Sequence, residues 1–249
     1  MGDQEARETP MNEHGFGMKH ALATADGSNS KWYICTRDDE LYDQNIYAKI
    51  KAPYTMDGFK GKHIGVNDVP WPGTYNTTGT FIKFTCSKEL FNTVRRGLRG
   101  NFKFETKVKI LSEDIGFNYS NIIKENYANI TLQHIDIDGN KNHFPVAAVE
   151  PDWEEFFPPS KSQEKVDLGN GEVLVKDEFG VMKEANYHKY YKRNMSSSGV
   201  ELRFNGRLIT YNIFKEIWEI EKHNSYNYLL IRLDLISEDS GVCQESCRI

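Results

Sequence analysis

Cysteine is scarce: four in 249 residues, irregularly spaced and unlike a disulfide framework. Cys35 and Cys86 sit inside apolar, strand-like runs and read as buried thiols. Cys243 and Cys247 form a C-x3-C with no second Cys or His pair at zinc-finger spacing, which leaves a metal site short of ligands. No apolar run approaches the ~18 residues that span a membrane. The opening "MGDQEARETP" is polar and acidic, unlike a secretory leader. These features predict an intracellular protein, cytoplasmic or nuclear, in which the Asn-x-Ser/Thr triplets at Asn76, Asn118, Asn129 and Asn194 are coincidental. Positive charge is not in excess either. The net charge is −5, so no global field advertises nucleic acid. Walker A, Rossmann and Gly-x-Ser-x-Gly patterns are missing, which removes three common routes to nucleotide or acyl chemistry. The remainder is an ordinary globular composition, 39% apolar and 27% charged, in a chain long enough for one large or two small domains.

The richest short stretch is "HGFGMKHALATA", from His14. Gly15 and Gly17 flank Phe16 and let the backbone turn tightly and approach a ligand closely. From Met18 the pattern reads as a short helix, whose free N–H groups and positive dipole end suit an anion. Lys19 falls in the first turn, where a cation is slightly unfavourable unless a phosphate is bound. A plain loop-to-helix joint is the other meaning that this spacing leaves open.

Downstream, "DGSN" is a turn cluster, and "KWYICT", "NIYAKIKA" and "GTFIKFTC" read as strands. Later, "GVELRFNGRLITYNIFKEIWEI" joins two alternating strands through Asn205-Gly206, a strong hairpin signal. A helical pattern of Ile213, Phe214, Ile217, Trp218 and Ile220 follows it. The order resembles the GHKL ATPases, the superfamily of DNA gyrase, the heat-shock chaperone, MutL and MORC proteins. The "HGFGMKHAL" stretch is similar to the end of their ATP lid, and "TTGT" from Thr77 to Thr80 to their late Gly-Thr. "GVELRFNGRLITYNIF" resembles a strand–Asn-Gly-Arg–strand stretch of the MutL and MORC transducer domain. "ILSEDIGFNYSNIIKENYANITLQHIDIDG" resembles that domain's first helix and adjoining hairpin, and "NYLLIRLDLIS" a further strand.

The resemblance implies an α+β protein. Residues 1–99 would form a partial GHKL (Bergerat-type) α/β sandwich carrying the lid end. Residues 100–249 would form a transducer-like (ribosomal S5-type) domain with an exposed loop at 150–165. The cofactor it implies is ATP: backbone at Gly15, Phe16 and Gly17 would cradle the phosphates, Lys19 would be their charged partner, and Thr80 would face the base. It also implies a homodimer or a complementing chain, and a role in DNA repair, restriction or chromatin-like work.

Several family features are missing. The Glu-x3-Asn that supplies general base and magnesium ligand has no good match, because Glu8 and Asn12 are separated by Pro10, which disrupts a helix. The adenine-reading Asp-x-Gly-x-Gly is also lacking; Asp26-Gly27 has no second glycine. In MutL-like transducers a lysine beyond the last strand reaches the terminal phosphate, and no lysine follows Lys222 here. The chain reads as the middle of such a protein. The expectation is weak nucleotide binding without appreciable hydrolysis, no catalytic residue, and magnesium only if another segment or chain supplies the missing motifs. The alternative is a non-catalytic DNA-binding or protein-interaction subunit that retains the scaffold.

Other segments carry weaker signals. His134, Asp136 and Asp138 alternate along one strand face, as a metal site would, but the Gly139-Asn140 turn beside them favours an ordinary polar face. "RRGLRGNFKF" and "YHKYYKR" mix cations with aromatics, as DNA-binding segments do, and also read as solvated basic faces. "LGNGEVLV" predicts a hairpin.

Overall fold

The computed structural model describes residues 28, 30–53, 62–73, 77–85, 104–135, 138–167, 171–183, 191, 198–221, 223–226 and 228–237. The fold is α+β, with strands in the majority. The chain divides into two compact units; described residues up to Thr85 belong to the first and those from Phe104 onward to the second.

The first unit is an antiparallel sheet in the order β3-β2-β1-β4. Its strands are β1 (Trp32–Arg37), β2 (Ile46–Lys51), β3 (Lys62–Gly65) and β4 (Gly79–Phe84). β1, β2 and β4 lie where aromatic and branched residues predict strands. The short helix α1 (Asp39–Asp43) and β3 were not legible from periodicity. Asp38 starts α1 as its N-cap, accepting the Leu41 N–H at 2.8 Å, with Asp39 and Glu40 in the favourable first turn. Buried Arg37 closes this corner: its Nε donates to the Ile46 carbonyl at 3.1 Å, and its guanidinium stands 4.4 Å from the Tyr42 ring centre. Alternation along β1 puts Trp32 and Ile34 on one face, where they pack with Ile50 and Ala52. Tyr33, Cys35 and Arg37 point to the other.

The second unit begins with α2 (Phe104–Asn118), α3 (Ser120–Lys124) and a hairpin of β5 (Thr131–Ile135) with β6 (Lys141–Pro145). These match the helix and hairpin expected from the sequence. A five-stranded mixed sheet follows, ordered β10-β9-β11-β8-β7. Its members are β7 (Ser160–Asp167), β8 (Glu172–Val181), β9 (Gly199–Phe204), β10 (Arg207–Ile213) and β11 (Leu229–Ile236), with only β9 and β11 parallel. The core gathers Phe117, Val149, Met182, Tyr191 and Leu230, with Trp153 and Leu208 packed against it. Gly116 lets α2 approach the segment after β6: a Cβ there would sit 2.2 Å from the Ala147 carbonyl oxygen.

The Asn205-Gly206 hairpin forms as expected, with positive φ at both residues (46° and 79°), the backbone of a type I′ turn. Two expectations need correction. The helix after β10 shrinks to one turn, α4 (Lys215–Trp218), because Ile213 still belongs to β10 and Glu219 adopts the left-handed conformation. Ile217, Trp218 and Ile220 remain exposed. The loop expected at 150–165 ends early, since β7 starts at Ser160. Its polar sequence "SKSQEKVD" has no strand alternation, and the backbone ladder to β8 holds it at an edge where charge is tolerated.

Candidate functional site

Of the residues that the sequence nominates, Gly15, Phe16, Gly17 and Lys19 lie outside the described residues. Thr80 is exposed on β4, with its hydroxyl 3.2 Å from that of Thr36 on β1. His134 on β5 pairs across from Asn142, Asp138 lies in the following turn, and Asp136 is outside the described residues. Among the described residues, no group of three or more His, Cys, Asp or Glu is placed to hold a metal. The basic run 95–103 is likewise outside them. Tyr191 alone is described within "YHKYYKR", and it is a core residue at 1% exposure rather than a surface stacking group.

The unexpected feature is a buried ionic network on the sheet face that meets α2 and α3. Parallel pairing of β9 with β11 sets Glu201 opposite Arg232 and Arg203 opposite Asp234. Opposite charges therefore alternate within each strand and match across the pair. Arg203 Nε donates to Glu201 Oε1 at 2.5 Å, and Arg232 Nε donates to the same oxygen at 3.0 Å. Tyr191 donates its hydroxyl to the other Glu201 oxygen. Arg232 also holds Glu150 through both carboxylate oxygens, at 3.1 and 3.2 Å, and reaches Glu178 at 3.3 Å.

Each charge is tied to an element boundary. Arg203 Nη2 donates to the Phe117 carbonyl at 2.9 Å, in the last turn of α2, where helix-end carbonyls and the negative dipole end favour a cation. Asp234 accepts the Gly206 N–H at 3.0 Å and the Asn121 amide at 2.7 Å, linking the hairpin to α3. Asn205 completes the fastening: its side chain exchanges hydrogen bonds with the Ser237 backbone at 3.1 and 3.2 Å. Burial pushes the Glu150 carboxyl up, but Arg232 and Lys124 outweigh it and hold the group down to about 2. Burial, followed by the Glu201 charge, pushes the Tyr191 phenol well above its ordinary range.

Beside this network lies a cavity of about 680 Å³, bordered by Asn121, Lys124, Lys161, Lys176, Gly206 and Asp234 among others. Lys124 and Lys161 are already neutralised by Glu150 and Glu178, at 2.8 and 2.9 Å. The lining mixes basic and acidic side chains, and this geometry fastens the hairpin to the helices rather than presenting a nucleophile and base.

Sequence reasoning missed the network although its signal was present. Glu-x-Arg in "VELRF" and Arg-x-Asp in "LIRLDL" read singly as solvent-facing alternation. Only parallel pairing reveals that they complement one another.

No family model matches the chain, and no curated protein does. Among solved structures it is similar to the B-subunit of DNA gyrase from Myxococcus xanthus, at 7% identity and a TM-score of 0.38. The similarity covers 87% of this chain and 58% of that one, so the chain spans less than two thirds of the length of the structure it matches.

Proposed function

We propose that the chain is the ATP-binding module of a GHKL-type protein, a nucleotide-dependent conformational switch in DNA repair, restriction or chromatin-like work. The observation that carries this is element order in the second unit. The leading helix and hairpin (104–145), the Asn-Gly hairpin (199–213) and the strand over 229–236 occur where the resemblance to a transducer places them. In that frame residues 1–99 are the partial nucleotide-binding domain and 100–249 the transducer-like one. Gly15, Phe16 and Gly17 offer backbone N–H groups to the phosphates, Lys19 their counter-charge, and Thr80 a hydroxyl to the base. Hydrolysis requires the missing general base and magnesium ligand from another segment or chain, whether a homodimer partner or a complementing subunit.

Calorimetry with a non-hydrolysable ATP analogue tests this on the full chain and on Lys19→Ala. Expected is weak binding that falls clearly in the variant, with no appreciable hydrolysis. Absence of binding in both proteins overturns the proposal. The lack of Glu-x3-Asn and Asp-x-Gly-x-Gly supports a second reading, a non-catalytic DNA-binding or protein-interaction subunit built on the same scaffold.

A further inference from the structure

The sheet of the first unit has two unlike faces. Register and alternation put Trp32, Ile34, Ile50, Ile82 and Phe84 on one, an apolar side without a lysine. The other carries Tyr33 and Phe81 on neighbouring strands, and every lysine of the four strands: Lys49, Lys51, Lys62 and Lys83. No described strand residue on this face is acidic, in a chain with 36 Asp and Glu against 31 Lys and Arg. None of the four lysines enters an ion pair with a described residue. Lys49 and Lys62 stand directly opposite one another across β2 and β3, an arrangement of like charges that destabilises a sheet and that a bound anion relieves.

The aromatic pair sets the kind of anion. The Tyr33 and Phe81 rings lie 5.9 Å apart and are inclined by 31°, and both remain partly exposed. The ammonium groups of Lys49 and Lys83 stand 4.6 and 5.9 Å from the Tyr33 ring centre. Cys35, Arg37 and Tyr47 on this face are buried, Tyr47 against Trp71, while the end that carries Tyr33, Phe81, Lys51 and Lys83 is partly exposed. Aromatic rings among cations there can stack unpaired bases while lysines neutralise the phosphates between them. A duplex hides its base faces and cannot use the rings.

We propose that this face of the β3-β2-β1-β4 sheet binds single-stranded nucleic acid, with Tyr33 and Phe81 stacking bases and Lys49, Lys51, Lys62 and Lys83 contacting phosphates. Binding moves the Lys49 and Lys83 ammonium groups from the tyrosine ring to the backbone and gives the ring to a base. The proposal is independent of the ATP reading and concerns residues other than the basic runs near Arg95 and Tyr187.

The test is fluorescence anisotropy of a labelled single-stranded oligothymidine with the full chain, at about 50 mM salt, where phosphate contacts bind most strongly. Lys51→Glu with Lys83→Glu, both at exposed positions, is expected to weaken binding about tenfold or more. Tyr33→Leu is expected to weaken it about tenfold with an unchanged salt slope. A control of equal charge change on the second unit, Lys141→Glu with Lys165→Glu, should stay within about twofold of wild type. Thermal melts establish that each variant folds; if Tyr33→Leu does not, Phe81→Leu takes its place. The proposal fails if the oligonucleotide does not bind, if the control pair loses as much as the sheet pair, or if a duplex binds equally well. It also fails if polyglutamate competes as effectively as oligothymidine, since that result identifies an acidic-peptide surface.

Discussion

At the scale of single residues, the buried ions make the sharpest predictions. Glu150 is held at about 2 against an ordinary value of 4.5, so its folded value is depressed. Its contribution is therefore fully present above about pH 4.5 and is lost as pH falls through about 2. The shift corresponds to at most about 3 kcal/mol. Urea titrations between these pH values should show wild-type stability falling with acid, and Glu150→Gln should flatten that slope while lowering stability near neutrality. Arg203 is fully buried, and Arg203→Met removes one of the two guanidinium partners of Glu201 together with the hydrogen bond to the Phe117 carbonyl, leaving Arg232 and Tyr191 to hold the buried carboxylate. The expected loss is about 3–5 kcal/mol, the cost of breaking one side of a buried ion pair. Equal loss from an exposed change such as Lys165→Met would refute the assignment of that cost to burial. Tyr191 shows where residue-level reading of the sequence stopped. Its neighbours "YHKYYKR" describe a basic, solvated run, but the ring belongs to the core and its hydroxyl to Glu201.

Elements were legible where local chemistry and tertiary environment agree. β1, β2 and β4 announce themselves by branched and aromatic residues, and the Asn205-Gly206 turn by the two residue types that accept positive φ most readily. Substitution there is expected to be costly: Gly206→Ala keeps a φ of 79° and brings a Cβ to 3.0 Å from Ile122, for a loss of about 1–2 kcal/mol. Gly116→Ala, inside a helix where alanine is normally favoured, should instead destabilise by roughly 1–3 kcal/mol because of the Ala147 carbonyl. Chemical denaturation separates these from neutral changes. A stabilising Gly116→Ala would show that the close approach of helix and chain relaxes freely. Elements were illegible where backbone pairing alone decides. β7 is a polar edge held by β8, and the apolar period after β10 predicts a full helix although Glu219 ends it after one turn. Periodicity reports a preference for one face, but it carries no information about where a strand stops.

For the whole molecule, composition concealed the arrangement of charge. A chain of net charge −5 places opposite ions in strict register within one sheet and only basic charges among the strand residues on one face of another. Such sorting depends on strand order, which neither counts nor motifs contain. The same sorting bears on the proposed boundary near residue 100. The described core of the second unit runs from Phe117 to Leu230, and its ionic network draws on Glu150, Glu178, Glu201, Arg203, Arg232 and Asp234. Every one of these groups lies within 100–249, so a fragment of those residues keeps the apolar contacts and counter-charges that its strands require. It is expected to be soluble and to unfold cooperatively in urea, with Arg203→Met lowering its midpoint as in the full chain. A fragment that lacks a cooperative transition would move the boundary, and would mean that residues before 100 complete the burial of its sheet.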